Sequence, residues 1–117
     1  MNQVQNQVTL IGYLGKDPET IGKGESAGAT FDLATREVFR SGEGRKDRTD
    51  WHRIVCWQGV AKACQHLAKG DRVAIFGKLR TNTWKDADGN ARRAVEVHAS
   101  DVHFLQVKAF AEDGADA

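Results

Sequence analysis

Residues 51–57 read Trp51-His52-Arg53-Ile54-Val55-Cys56-Trp57, residues 60–70 read Val60-Ala61-Lys62-Ala63-Cys64-Gln65-His66-Leu67-Ala68-Lys69-Gly70, and residues 72–79 read Arg72-Val73-Ala74-Ile75-Phe76-Gly77-Lys78-Leu79. The first run is rich in β-branched and aromatic residues and predicts a strand. In the second, Val60, Ala61, Cys64, Leu67 and Ala68 recur at helical spacing. Lys69 suits the negative end of a helix and Gly70 the left-handed residue beyond it, so a helix is predicted over Val60–Lys69. The third run alternates again: Val73, Ile75, Gly77 and Leu79 face in, with Phe76, Lys78, Arg80, Asn82 and Trp84 on the other parity. It is this strand–helix–strand passage, with no second helix elsewhere, that decides the fold.

Upstream, Gln7–Gly15 alternates with Val8, Leu10, Gly12 and Leu14 on one face and Thr9, Ile11 and Tyr13 on the other. Lys16-Asp17-Pro18-Glu19 ends that strand, because proline removes a ladder donor, and the glycines of residues 21–28 predict a turn region. A second strand is expected over Ala29–Arg40, with Phe31 and Leu33 inward. Ser41–Asp50 is charged and carries two glycines, and is expected to be a solvated hairpin loop. Downstream, Asp88-Gly89 marks a hairpin turn within a loop over 85–93, and a last strand is expected over Arg93–Leu105. Five strands of this length leave exposed edges if laid out flat. Closing them into a Greek-key barrel with the helix plugging one end removes those edges. The expected class is all-β with one short helix, a five-stranded Greek-key OB-fold barrel. A β-sandwich is the competing arrangement.

The chain has 117 residues, which fits one domain. That domain is expected over 1–108, followed by a short acidic, disordered tail over 109–117. No apolar run of about 18 residues is present, so no membrane-spanning helix is expected. The N-terminus lacks the basic and apolar regions of a signal peptide, so a cytoplasmic, nucleoid-associated protein is expected. Net charge is +1, but Glu112, Asp113 and Asp116 lie in the tail, and without residues 109–117 the body holds 17 bases against 13 acids. A mildly basic body permits a polyanionic partner. The tail acids are expected to compete with such a partner for Arg45, Lys46, Arg92 and Arg93.

The aromatics sharpen this. Trp51, Trp57, Phe76 and Trp84 fall at strand positions interleaved with Arg53, Lys78 and Arg80, and Trp51, Arg53 and Trp57 share one face of one strand. A nucleobase offers a π-face and a phosphate a charge, so a groove for single strands alternates stacking platforms with cations. The loops add Arg45, Lys46, Arg48, Lys85, Arg92 and Arg93. His52, Cys56, Cys64 and His66 do not have the spacing of a zinc ribbon, so no metal site is predicted, and Cys64 is read as a core residue. No P-loop, nucleophile-elbow or zincin motif occurs, and neither catalytic residues nor a cofactor are predicted.

These residues carry a resemblance. Asn6–Glu19 resembles the opening strand and turn of the bacterial single-stranded DNA-binding protein (SSB) family, and Phe31–Thr35 resembles its second strand. Thr49–Trp57 resembles its most distinctive block. Lys69–Val73, Gly77–Thr81 and Trp84 complete a match over about residues 5–107. The resemblance implies a non-enzymatic protein that binds and protects single-stranded DNA during replication, recombination and repair, without a cofactor. It puts base-stacking aromatics at Phe39, Trp51, Trp57 and Trp84, with one aromatic exchanged for another at positions 39 and 57. It also implies a homotetramer built from dimers, with an interface at Val8, Leu10, Ile11, Gly12 and His52; a dimer is the smaller alternative. A dimeric primosomal accessory OB-fold protein and an OB-fold RNA- or tRNA-binding module are the other readings. The family's Gly/Gln/Pro-rich linker and acidic-hydrophobic tip have no counterpart here, so recruitment of protein partners through a tail is not expected. Asn82 and Thr83 stand where basic residues are common.

Overall fold

The computed structural model describes residues 5–24 and 27–107. The tail over 109–117, with its three acids, lies outside them. The strands are β1 (Val8–Leu14), β2 (Glu19–Ile21), β3 (Gly28–Ser41), β4 (Gly44–Trp57), β5 (Arg72–Lys85) and β6 (Ala91–Gln106), and a helix α1 (Gln58–Cys64) lies between β4 and β5. β1 pairs antiparallel with β5 on one side and meets β3 on the other at Tyr13↔Ala34 and Leu14↔Leu33. β5 pairs with β6, β6 runs parallel to β4 at Ile54↔Val97 and Val55↔His98, and β4 pairs with β3 along its whole length. The ring β1–β5–β6–β4–β3 therefore closes on itself as a five-stranded barrel with one short helix, the expected class.

The inward parity read from the sequence holds inside the barrel. Leu14, Phe31, Leu33, Ile54, Val73, Ile75 and Val97 are buried, and Val8 and Leu10 pack against them. Ala61, Cys64 and Leu67 close one end, α1 packing on β3, β4 and β6. The Sγ atoms of Cys56 and Cys64 lie 3.4 Å apart in this core. The hydrogen bond to Cys64 and burial together push the Cys56 thiol up, so it stays protonated and serves as packing.

Four expectations need correction. The segment Ser41–Asp50 is not a loop. β3 and β4 run on as a two-stranded ribbon to Ser41↔Gly44, leaving only Gly42 and Glu43 as the turn, with Gly44 at φ +114. Charge pairing across and along the ribbon, such as Arg36–Asp47 at 2.7 Å, replaces the apolar alternation that would have revealed it. Likewise, β5 and β6 continue to Lys85↔Ala91, and only 86–90 is turn. The helix spans Gln58–Cys64 rather than Val60–Lys69. The chain reverses at Gln58 (φ +51), and after Cys64 the bonds shift to i−3 partners, Gln65 to Lys62, His66 to Ala63 and Leu67 to Cys64. Gly70 (φ +91) is left-handed as expected, but it ends the following turn, where Asp71 accepts from Ala68 N–H at 2.8 Å. Finally, a short strand, β2, falls outside the expected elements: it is paired to β3 through Glu19↔Thr30 and Ile21↔Gly28 and runs up to the expected turn region, sharing only Ile21 with it.

Two glycines set how closely strands approach. A β-carbon on Gly12 would collide with the Ala34 carbonyl and lie 3.2 Å from Leu33 Cγ, and one on Gly77 would meet the His98 carbonyl and lie 2.9 Å from Ala99 Cα. Gly77 also sits at the bulge between Phe76 and Gly77. Because backbone blocks the space, Gly12→Ala is expected to destabilise the barrel by about 1–3 kcal/mol, the usual cost of overpacking. Thermal unfolding checks this: an unchanged melting temperature would mean that the β1–β3 crossing can widen at no cost.

Candidate nucleic-acid interface

On the outer face of the barrel, and on both faces of the β3–β4 and β5–β6 ribbons beyond it, side chains have no core to pack against. Trp51 is 61% exposed, Trp57 43%, Trp84 47% and Phe39 41%. Large aromatics at such exposure are surface platforms, not core. Trp51, Arg53 and Trp57 project from one face of β4, opposite Ala34, Asp32 and Gly28 of β3. Trp57 is the last residue of β4 and stands at the N-cap of α1, so its ring is carried at the rim of the barrel.

Two clefts flank this row. The first, about 560 Å³, is lined by Trp57, Phe76, Lys78, Arg80, His98 and Ser100, among others. Phe76 is half-buried, held edge-on by His103 with ring centroids 5.1 Å apart, and its carbonyl accepts from Ser100 Oγ at 3.0 Å. The second cleft, about 480 Å³, is lined by Arg53, Asn82, Trp84, Ala94 and Glu96. Between the clefts lies Glu96, only 13% of its side chain exposed. One carboxylate oxygen takes Arg53 Nε at 3.2 Å, and the other lies 3.4 Å from His98 Nε2.

The predicted cations divide into two groups. Arg53 is held by Glu96, Arg48 by Asp50 (3.2 Å), Lys46 by Glu43 (3.6 Å) and Arg92 by Asp86 (2.9 Å). Arg45, Lys78, Arg80, Lys85 and Arg93 have no ion pair among the described residues. The Asp86 carboxylate accepts Arg92 and the N–H groups of Asn90 and Asp88, and the first of these does most to hold it below the ordinary carboxylate range. A lowered carboxyl favours the folded turn above its ordinary pKa, and that preference is lost as pH falls through the lowered value.

Nor do all the predicted residues share a face. Phe39, Lys46 and Arg48 follow the parity of Phe31 and Leu33 and lie on the opposite side of the β3–β4 ribbon from Trp51, Arg53 and Trp57, whereas Arg45 lies on the tryptophan side. Of the predicted interface residues, Ile11 is exposed on the outer face of β1, while Val8 and Leu10 are half-buried against the core. Gly12 is buried at the β1–β3 crossing and could offer a partner only backbone. His52 is partly buried and shares a 2.8 Å hydrogen bond with Thr35. Glu96, His98 and Ser100 were missed from sequence. The hairpin turn carried the signal: counting outward from Lys85↔Ala91 brings Arg80 opposite Glu96 and Lys78 opposite His98.

A closed barrel of five strands with aromatics and cations on its open side defines an OB-fold oligomer-binding domain. The family model of the Single-strand binding protein family matches residues 5–105, and the chain belongs to that family. It is 43% identical over 108 residues to Single-stranded DNA-binding protein 1 of Chlorobaculum tepidum, covering 88% of this chain and 66% of that one. It is 40% identical over 105 residues to a Single-stranded DNA-binding protein of Caldanaerobacter subterraneus subsp. tengcongensis, covering 88% and 69%. The match thus spans just under two thirds of the first relative's length and just over two thirds of the second's. Among solved structures, a Plasmodium falciparum SSB in complex with ssDNA superposes with a TM-score of 0.80 at 34% identity, covering 91% of this chain and 99% of that one.

Glu96 is the acid with which a phosphate would compete for Arg53. Glu96→Gln is expected to tighten binding of single-stranded DNA by about three- to tenfold at low salt and to steepen the salt dependence by about 0.7 in log K per log salt, one more phosphate neutralised. A weaker complex with an unaltered slope would instead make Glu96 the group that aims Arg53.

Proposed function

We propose that this chain binds single-stranded DNA with little sequence preference, as a non-enzymatic protein of DNA replication, recombination and repair. The observation that carries the reading is the row of exposed indoles, Trp51, Trp57 and Trp84, interleaved with Arg53, Lys78 and Arg80 beside two open clefts. Bases stack on these rings at about 1–3 kcal/mol each, and every base has a π-face, so sequence matters little. Lys78, Arg80, Arg45, Lys85 and Arg93 draw in the phosphates directly, while Arg48, Lys46 and Arg92 exchange a carboxylate for a phosphate. Because Phe39 lies behind the β3–β4 ribbon, a strand that reaches it turns around the ribbon's edge. A DNA partner and two free thiols, Cys56 and Cys64, fit a cytoplasmic, nucleoid-associated protein; among the described residues no helix is long and apolar enough to cross a membrane.

The same reading includes a homo-oligomer, a tetramer of paired dimers. Support comes from β1, whose ladder to β3 is confined to Tyr13 and Leu14. Along Val8–Ile11 the edge opposite β5 is open among the described residues, and Ile11 is half-exposed beside it. An unpaired edge is a template for a second strand.

Three measurements test this reading. Titrating intrinsic tryptophan fluorescence with oligo-dT should give quenching and salt-sensitive binding, with a duplex of equal length binding far more weakly. Trp84→Ala should weaken oligo-dT binding by about tenfold or more, within the stacking range, while the melting temperature holds; unfolding with undiminished affinity would make Trp84 a packing residue. For the assembly, Ile11→Lys should lower the sedimenting mass at low concentration, and an unaltered mass would remove β1 from the interface.

A further inference from the structure

We propose that Gly15 is a positioning residue for Trp51: its bare α-carbon leaves the space in which the outer edge of the indole's six-membered ring sits, which fixes where the ring stands for a base to stack on it. The inference rests on the reading of Trp51 as a stacking platform.

Gly15 follows the last residue of β1, and its N–H donates to the Asp32 carbonyl at 3.0 Å, so its place is fixed by backbone. A β-carbon built there would have three nearest neighbours, all of them atoms of the Trp51 ring: Cζ3, Cη2 at 2.7 Å and Cε3 at 3.5 Å. The left-handed glycines of the described chain are Gly22, Gly24, Gly44, Gly70 and Gly89, and Gly15 is not one of them. Nothing in the backbone conformation therefore demands glycine. What demands it is the indole.

The contrast with Gly12 and Gly77 gives this meaning. Their β-carbons would strike carbonyl groups of neighbouring strands, so those glycines serve the barrel. At Gly15 the obstruction is a side chain that is 61% exposed and absent from the buried core. Removing water from so small a part of the ring does little for stability. Fixing the ring's position does more for binding, because an indole already held in place has less freedom to lose when a base arrives. Gly28 does the same in part for Trp57, its β-carbon falling 2.7 Å from Cε3 of that ring. It would also lie 2.5 Å from the Cys56 carbonyl, so strand spacing and ring seating cannot be separated there. Gly15 is the site at which seating can be tested alone.

The test is a double-mutant cycle on the full chain, reading the anisotropy of a dye-labelled short oligo-dT at fixed salt so that the signal does not depend on tryptophan. Gly15→Ala is expected to weaken binding by about three- to tenfold, part of what one stacked base supplies. In a Trp51→Ala background the same substitution should change binding by less than about twofold, because the ring it displaces is gone. Equal losses in both backgrounds, or no loss in the parent, overturn the proposal. Trp51→Ala binding like the parent is a different result: it removes the platform reading of Trp51 and the proposal with it. Should Gly15→Ala fail to fold, Gly15→Ala with Trp51→Phe replaces it, since a phenyl ring lacks the fused benzo ring whose edge reaches Gly15. That pair is expected to fold and to bind within about twofold of Trp51→Phe alone, and failure to fold there too overturns the proposal.

Discussion

The architecture depends on one close approach, that of β1 to β3 at Gly12. β1 is seven residues long and must pair with β5 while reaching β3 at its far end. It can do so because Gly12 has no β-carbon to strike the Ala34 carbonyl. Beyond the crossing, Leu14 donates to the Asp71 carbonyl at 2.9 Å and accepts from Gly70 at 2.8 Å, so the turn after α1 carries on the pairing where the strand ends. At the other end, the Asn6 side chain takes both backbone groups of Leu79 at 2.9 Å, standing in for one further pair. Closure removes the ragged edges of an open sheet. It also sets the barrel's height, and everything in β3–β6 beyond that height projects as two ribbons. The exposed aromatics follow from both: Trp51 and Trp57 stand on the barrel's outer face, opposite Ala34 and Gly28, and Phe39 and Trp84 stand on the ribbons after the core has ended.

The same boundary separates what could be read in the sequence from what could not. Inside the barrel one face of each strand is apolar, so Phe31, Leu33, Val73 and Ile75 announced themselves by alternation. On the ribbons both faces meet water. Leu79, of inward parity, is already 47% exposed, and residues 41–50 show no apolar period although they are paired throughout except at the turn. Such a ribbon is specified by cross-strand partners, and hydropathy cannot see these. The tryptophans were legible because three indoles and their neighbouring cations exceed what a core of this size needs. Glu96 was not, because a lone acid on a strand looks like any solvated residue until register sets it against Arg80 and between Arg53 and His98. The helix limits were misread because Lys69-Gly70 mimics a helix end, while the actual helix stops where its bonds tighten to i−3.

The carboxylates that hold the predicted cations bear on selectivity. A surface that bound by charge alone would favour duplex DNA, whose two strands put one charge every ~1.7 Å along the axis. Here the net charge is only +1, and Arg53, Arg48, Lys46 and Arg92 are each already engaged by an acid. A phosphate must displace that acid, which reduces the gain from any polyanion. Stacking is not reduced in this way, and it is open only to bases that have left their own stack, because in a duplex the π-faces are already covered. On the proposed reading, weakening the charge term therefore costs duplex binding proportionately more than single-strand binding. The acids lower total affinity while raising the share of it that depends on the rings, so single strands are chosen by which bases can reach Trp51, Trp57 and Trp84 rather than by which polymer is the more highly charged.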